Sequence, residues 1–186
     1  MSPEEWETSE PQERGQFRIF RVKEVRGTSP RTGEELSFYL LECNDWVNVI
    51  AFTEGGKVVM IRQYRFGTQQ VELEIPGGVI EEGETPEEAA VRELEEETGY
   101  NGGEISYLGS VSPNPAFHTN RCHTVVIQGV KPEGEQSLDP GEDLEVELKP
   151  LADIPGLIAD GTVRHSLVMA AFQLLGLVAD TSEEQT

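Results

Sequence analysis

Residues 78–100, GVIEEGETPEEAAVRELEEETGY, constrain the chain more than any other stretch. Thr85 has the residue type of a helix N-cap, and Pro86 stands at the first helical position. Glu88, three residues after Thr85, completes a capping box, and Gly99 is the expected stop. The spacing predicts a helix over residues 86–98. On it Glu93 and Glu97 are one helical turn apart, and Glu96 lies three residues from Glu93. At roughly 100° per residue the three share a sector roughly 100° wide. Val91 and Leu94 turn elsewhere, towards a core. Carboxylates so spaced repel by a few tenths of a kcal/mol per exposed pair. Arg92 can pair with Glu96 at i,i+4 but cannot neutralise all three. A solvated acidic face is the ordinary outcome of such a pattern. The alternative is a divalent cation, because magnesium takes hard oxygen ligands, commonly one or two carboxylates plus substrate phosphates.

The flanking residues favour the cation. Gly78, five residues, Glu84, seven residues, then Arg92-Glu93-Leu94-x-Glu96-Glu97-x-Gly99-Tyr100 resembles the Nudix box at every defined position. The chain is therefore similar to Nudix hydrolases, which cleave a nucleoside diphosphate linked to another group with the help of a divalent metal. The resemblance implies Mg2+ or Mn2+ held by Glu93, Glu96 and Glu97, with a backbone carbonyl near Gly77. It gives Glu96 a catalytic part as well.

Composition narrows the setting. The formal charge of −21 opposes non-specific binding to nucleic acid, which needs a basic surface. A phosphorylated substrate must then be met by metal and local arginines. No apolar run approaches the roughly 18 residues of a membrane span, so no membrane role is expected. The N-terminus is acidic and lacks an apolar centre, unlike a secretory signal. Cys43 and Cys122 are too few for a disulfide scaffold, and a cytoplasmic setting is the expectation.

Taken in order, residues 1–15 read as a disordered acidic leader. Alternation predicts strands over 17–25, 36–42, 46–53 and 57–64, with Gly55-Gly56 as a hairpin signal. Further strands are expected over 71–75, 104–111, 121–130 and 142–148. An amphipathic helix capped by Thr162 is expected over 162–175. This gives an N-terminal β-subdomain at 16–53, a hydrolase domain at 54–179 and a flexible tail at 180–186. In the nucleotide-sugar branch of the family such a subdomain supports a homodimer, and the resemblance implies one here. Trp46 is then either a structural aromatic or a platform for stacking a base.

Arginine recognises phosphate with a bidentate fork, and this acidic chain has few basic residues. Arg62-Gln63-Tyr64-Arg65 is similar to a segment of the same branch in which the arginine contacts substrate, and Arg65 is preferred to Arg62. The ELEIPGG segment is also similar to that branch, with Glu74 either binding substrate or shaping the turn. Pro115 lies 15 residues beyond Tyr100, a mark of ADP-ribose-hydrolysing members, although Ala116 replaces their glycine. His118 and His123 have no nucleophilic serine or cysteine at a recognisable spacing. The resemblance also implies a general base on an acidic loop before a late strand. Glu142 is the first choice, as base or additional metal ligand, with Asp139 and Glu135 behind it.

The expected fold class is α/β: a Nudix-type α/β/α sandwich with a mixed sheet and an N-terminal antiparallel β-subdomain. The expected activity is metal-dependent hydrolysis of a nucleoside diphosphate sugar, such as ADP-ribose to AMP and ribose 5-phosphate, or GDP-mannose. A nucleoside triphosphate pyrophosphohydrolase and a non-catalytic nucleotide-sugar sensor are the alternatives. The Gln63-Tyr64-Arg65 and Pro115 features count against the first, and the intact glutamates against the second.

Overall fold

The computed structural model describes residues 4–183, with side chains as far as residue 176. The chain forms two units, residues 1–44 with 112–121, and residues 45–111 with 122–186.

The first unit is an antiparallel sheet of β1 (Glu7–Thr8), β2 (Gln12–Gln16), β3 (Arg21–Thr28) and β4 (Glu35–Glu42). β3 is central: Glu24 pairs with Gln12 on one edge and with Tyr39 on the other. The expected leader thus contributes β1 and β2, and its residues are largely exposed. The strand expected over 17–25 is interrupted. The Phe17 N–H donates to the Phe20 carbonyl at 2.9 Å, and the two rings lie 5.0 Å apart. Residues 17–20 therefore turn β2 into β3, and the apolar positions change phase there, from Phe17 and Ile19 to Phe20 and Val22. Residues 112–121 join this unit along β4, where the Leu41 N–H donates to the Phe117 carbonyl at 2.7 Å. Pro115 lies in that segment.

The second unit contains β5 (Trp46–Thr53), β6 (Lys57–Arg65), β7 (Gln70–Glu74), β8 (Gly77–Val79), α1 (Pro86–Thr98), β9 (Tyr100–Asn101), β10 (Glu104–Val111), β11 (Cys122–Pro132), β12 (Leu144–Pro150), α2 (Ile154–Ala159) and α3 (Ser166–Glu183). Its sheet runs β10-β11-β5-β6-β12, with β7 on β6, β8 on β5 and β9 on β11. The β5–β11 pair is parallel and the other pairs are antiparallel, so the sheet is mixed. β5 does not belong with the preceding strands, as the expected boundary after residue 53 had it. It is buried between β11 and its antiparallel neighbours, and Val49, Ile50 and Ala51 have no exposed surface.

Alternation along β5 builds the sandwich. Ile50 and Phe52 face a cluster with Met60, Leu73, Val168 and Ala171, under α2 and α3. Val47, Val49 and Ala51 face the opposite cluster with Ala89, Ala90 and Leu94 of α1. The C-terminal helix begins later than expected. Thr162 donates its N–H to Asp160 Oδ1 at 2.9 Å and caps no helix, and α3 starts at Ser166. α3 continues to Glu183, through part of the expected tail, and residues 184–186 lie outside the described residues. Among the described residues no helix is long and apolar enough to cross a membrane.

β5 and β6 pair only at Phe52 and Val58 and then part, each taking a short strand of its own, β8 and β7. The diverging ends of these four strands supply most of the walls of the site.

Candidate active site

α1 forms where its end signals place it. Thr85 Oγ1 accepts from the Glu88 N–H at 3.2 Å, and Glu88 Oε2 accepts from the Thr85 N–H at 2.8 Å. Gly99 closes the helix in the left-handed region at φ 71°. Such a cap is worth about 1 kcal/mol, and here it also fixes the rotation of the helix. That rotation buries Ala89, Ala90 and Leu94 against the sheet and turns Glu93 and Glu97 towards β8.

Glu93 and Glu97 are buried, unlike carboxylates on a solvated face, while the Glu96 side chain stays 46% exposed. Glu97 Oε2 accepts from the Gly77 N–H at 2.9 Å. The Glu93 carboxylate lies against Gly78, where a side chain would collide with it. Arg92 organises the other side. It binds both Glu84 oxygens at 2.8 and 2.9 Å, Glu93 Oε1 at 2.8 Å, Glu96 Oε2 at 3.2 Å and the Val79 carbonyl at 3.0 Å. The spacing of arginine and glutamates in the box is thus a hydrogen-bonding scheme that ties the loop to the helix.

Burial pushes the Glu97 carboxyl up to about 8, with repulsion from Glu93 and Glu142 adding to the Gly77 bond's failure to offset it. Burial likewise raises Glu93, against the pull of Arg92. These are carboxylates waiting for a positive charge. Among the described residues no three His, Cys, Asp or Glu side chains converge tightly enough to enclose an ion. The chemistry of the donors nevertheless fits a hard cation: carboxylate oxygens of Glu93, Glu97 and the half-exposed Glu96, beside the backbone of Gly77.

Glu142 acts on the same place. Its charge is felt by Glu93, Glu97 and Arg65. Its loop is tied to the end of α1, where Gln136 Nε2 donates to the Glu97 carbonyl at 2.7 Å and the Ser137 N–H donates to the Glu96 carbonyl at 2.8 Å. Within the loop, Glu142 Oε2 accepts from the Asp139 N–H at 3.0 Å. Glu135 lines a separate groove on the outer side of α1, with Glu88 and Glu95.

A cavity of about 600 Å3 opens beside the box glycines. Its walls include Gly78 and four of the expected binding and metal positions, Trp46, Arg65, Glu74 and Gly77. Arg65 is forked on Glu74, Nε to Oε1 and Nη2 to Oε2, both at 2.9 Å. His165 Nδ1 lies 2.9 Å from Glu74 Oε2. Burial alone would raise Glu74, but its bonds to His165 and Arg65 prevail and hold it down to about 2. Glu74 therefore fixes an arginine and a histidine of the cavity wall. Arg62 does not line the cavity and pairs with Glu147 of β12. Pro115 belongs to the first unit. His123 bridges Tyr107, at 3.0 Å, and Asp45, at 3.2 Å, on the sheet.

Sequence reasoning passed over Arg164 and His165, which also line the cavity. The available signal was an arginine–histidine pair in a chain with only 14 lysines and arginines.

The chain is similar to several known proteins. The chain is 34% identical over 132 residues to an "ADP-ribose pyrophosphatase" of Bacillus subtilis (strain 168), covering 70% of this chain and 71% of that one. It is 36% identical over 132 residues to a "Methanol dehydrogenase activator" of Bacillus methanolicus, with the same coverage of 70% and 71%. A crystal structure described as an ADP compounds hydrolase superposes with a TM-score of 0.85 at 25% identity, covering 98% of each chain. Residues 44–172 match the NUDIX domain, and the chain belongs to that family.

Proposed function

We propose that this Nudix hydrolase cleaves the diphosphate of a nucleoside diphosphate sugar, with ADP-ribose, giving AMP and ribose 5-phosphate, as the first candidate and GDP-mannose as a related one. The observation that carries the reading is a single cavity bounded by Trp46, the Arg65–Glu74 fork and the Gly77-Gly78 turn that receives the box carboxylates. The indole offers a face for a base, the guanidinium offers donors to phosphate, and the carboxylates stand where phosphorus would react. The names of the Bacillus subtilis relative and of the solved structure support adenosine diphosphate compounds as substrates.

Mg2+ or Mn2+ held by Glu93, Glu96 and Glu97 with the Gly77 backbone would neutralise phosphate charge and lower the pKa of bound water. The chain's own residues supply the rest. Arg65, fixed by Glu74, has two of its five N–H donors engaged and presents others to the diphosphate. Glu142, on the loop beside the carboxylates, accepts the proton of the attacking water.

The first unit supports a homodimer. The unit exposes Phe17 and Ile19 in the turn between β2 and β3 and Phe38 and Tyr39 on β4, with Ile19 72% exposed. The proposed setting is the cytoplasm. The experiment that tests the activity is a panel of ADP-ribose, GDP-mannose, UDP-glucose and nucleoside triphosphates with Mg2+ or Mn2+. Higher kcat/KM on the diphosphate sugars is expected.

A further inference from the structure

The cavity contains a second arginine built like the first. Side chains along β7 alternate, so Gln70, Glu72 and Glu74 share one face. Glu74 holds Arg65. Two residues back along the strand, Glu72 holds Arg164, Nε to Oε2 at 2.7 Å, while Thr68 Oγ1 donates to the other Glu72 oxygen at 2.7 Å. Arg164 Nη2 also donates to Gln70 Oε1.

The two pairs match in exposure. Arg65 and Arg164 are 43% and 41% exposed, and the glutamates beneath them only 3% and 5%. In each a buried carboxylate fixes the guanidinium while much of it stays open to the cavity. This is preorganisation for an anion, since the side chain is already ordered when the ligand arrives. The arginines reach the cavity from distant parts of the chain, one at the end of β6 and one ahead of α3. A counter-ion for Glu72 alone would not need to line the same cavity as Arg65.

We propose that Arg164 is a second substrate-binding arginine, donating to oxygens of the phosphoryl group remote from the box carboxylates, while Arg65 serves the nearer one. The order follows from the strand. β7 runs towards Gly77, whose N–H meets Glu97, so the Glu74–Arg65 pair lies on the side of the carboxylates. The Glu72–Arg164 pair is anchored two residues further away, roughly 7 Å along the strand. The inference rests on the nucleoside diphosphate reading and adds to it: the diphosphate is gripped from two sides, and a ligand with one phosphate fills half of the grip.

The test separates binding from folding. Arg164→Ala leaves Glu72 buried without its partner, so Glu72→Gln/Arg164→Ala is made alongside it to remove both charges together. Thermal melting and steady-state kinetics on ADP-ribose with Mg2+ are measured for both, and for Arg164→Lys. The double variant is expected to melt close to the wild type while KM rises about 10- to 100-fold, the range for a hydrogen bond to a charged group. kcat should change less, and Arg164→Lys should fall between, keeping the charge without the fork. A folded double variant with wild-type KM, beside an active wild type, overturns the inference alone and leaves Arg164 as a counter-ion. A wild type with no turnover of any nucleoside diphosphate sugar overturns the activity and the inference with it.

Discussion

Glu93 occupies the space that a side chain on Gly78 would need: a Cβ there would lie 2.2 Å from Glu93 Oε1 and 2.4 Å from its carboxyl carbon. The glycine that opens the box is thus tied to a glutamate on the helix by exclusion. Gly78→Ala is expected to drive the Glu93 carboxylate off β8 and lower kcat by an order of magnitude or more, as small misplacements of catalytic groups do. The far-ultraviolet circular dichroism should be unchanged. Unaltered turnover in Gly78→Ala would show that the position of Glu93 against the turn has no catalytic weight.

Replacing the carboxylates themselves should separate function from folding. Glu93→Gln and Glu97→Gln keep size and replace carboxyls whose charged form burial opposes, so neither is expected to destabilise the metal-free protein. Turnover should fall by orders of magnitude. Leu94→Ala, on the same helix but in the core, should do the reverse, costing about 2–5 kcal/mol of stability while the folded enzyme stays active. Chemical denaturation and initial rates on the three variants check the pair of outcomes.

Glu97 also sets a dependence on pH. Its folded value, about 8, lies above the usual 4.5, so the folded metal-free state holds a proton that the unfolded chain releases. The stability it contributes is full below about 4.5 and is lost as pH rises through about 8. In EDTA, the melting temperature of the wild type should fall relative to Glu97→Gln across that window and run parallel to it above. Parallel curves throughout would place Glu97 at an ordinary carboxylate value.

The general base is tested on its loop. Glu142→Gln should lower kcat by about 10²- to 10⁴-fold with KM little changed, and the loss should shrink at high pH. Glu135→Gln, on the groove outside α1, should have little effect. A large loss in Asp139→Asn with none in Glu142→Gln would transfer the role.

Assembly is read from the first unit. Light scattering of the full chain should give a dimer, and Ile19→Lys with Tyr39→Lys should weaken it, since both side chains are exposed on that unit. A monomer at micromolar concentration would contradict the dimer.

How much of this was legible in the sequence depended on how local its cause was. α1 was readable to the residue because Thr85, Pro86, Glu88 and Gly99 carry its ends in their own chemistry. β5 and β10 were equally clear, because turn residues bound them. The bend at residues 17–20 was missed because Phe17, Ile19, Phe20 and Val22 read as one apolar run, although its phase shifts between Ile19 and Phe20. The place of β5 in the second unit was missed because it rests on pairing with β11, more than 70 residues away. Burial of Glu93 and Glu97 was hidden for the same reason, since β8 covers them. Arg164 carried no motif at all, and only the fold brings it to Glu72.

The central claim is that the cavity of the Arg65–Glu74 fork, whose Gly77-Gly78 wall packs against Glu93 and Glu97, receives a diphosphate. Its most direct measurement is kcat/KM for ADP-ribose, GDP-mannose, UDP-glucose and nucleoside triphosphates, each with Mg2+, for the wild type and Arg65→Ala. A wild type that favours diphosphate sugars over triphosphates, and an Arg65→Ala variant that loses all diphosphate substrates by a similar factor of about 10 to 100, is the predicted result. Preference for triphosphates, or a variant whose loss depends on the base, would contradict it.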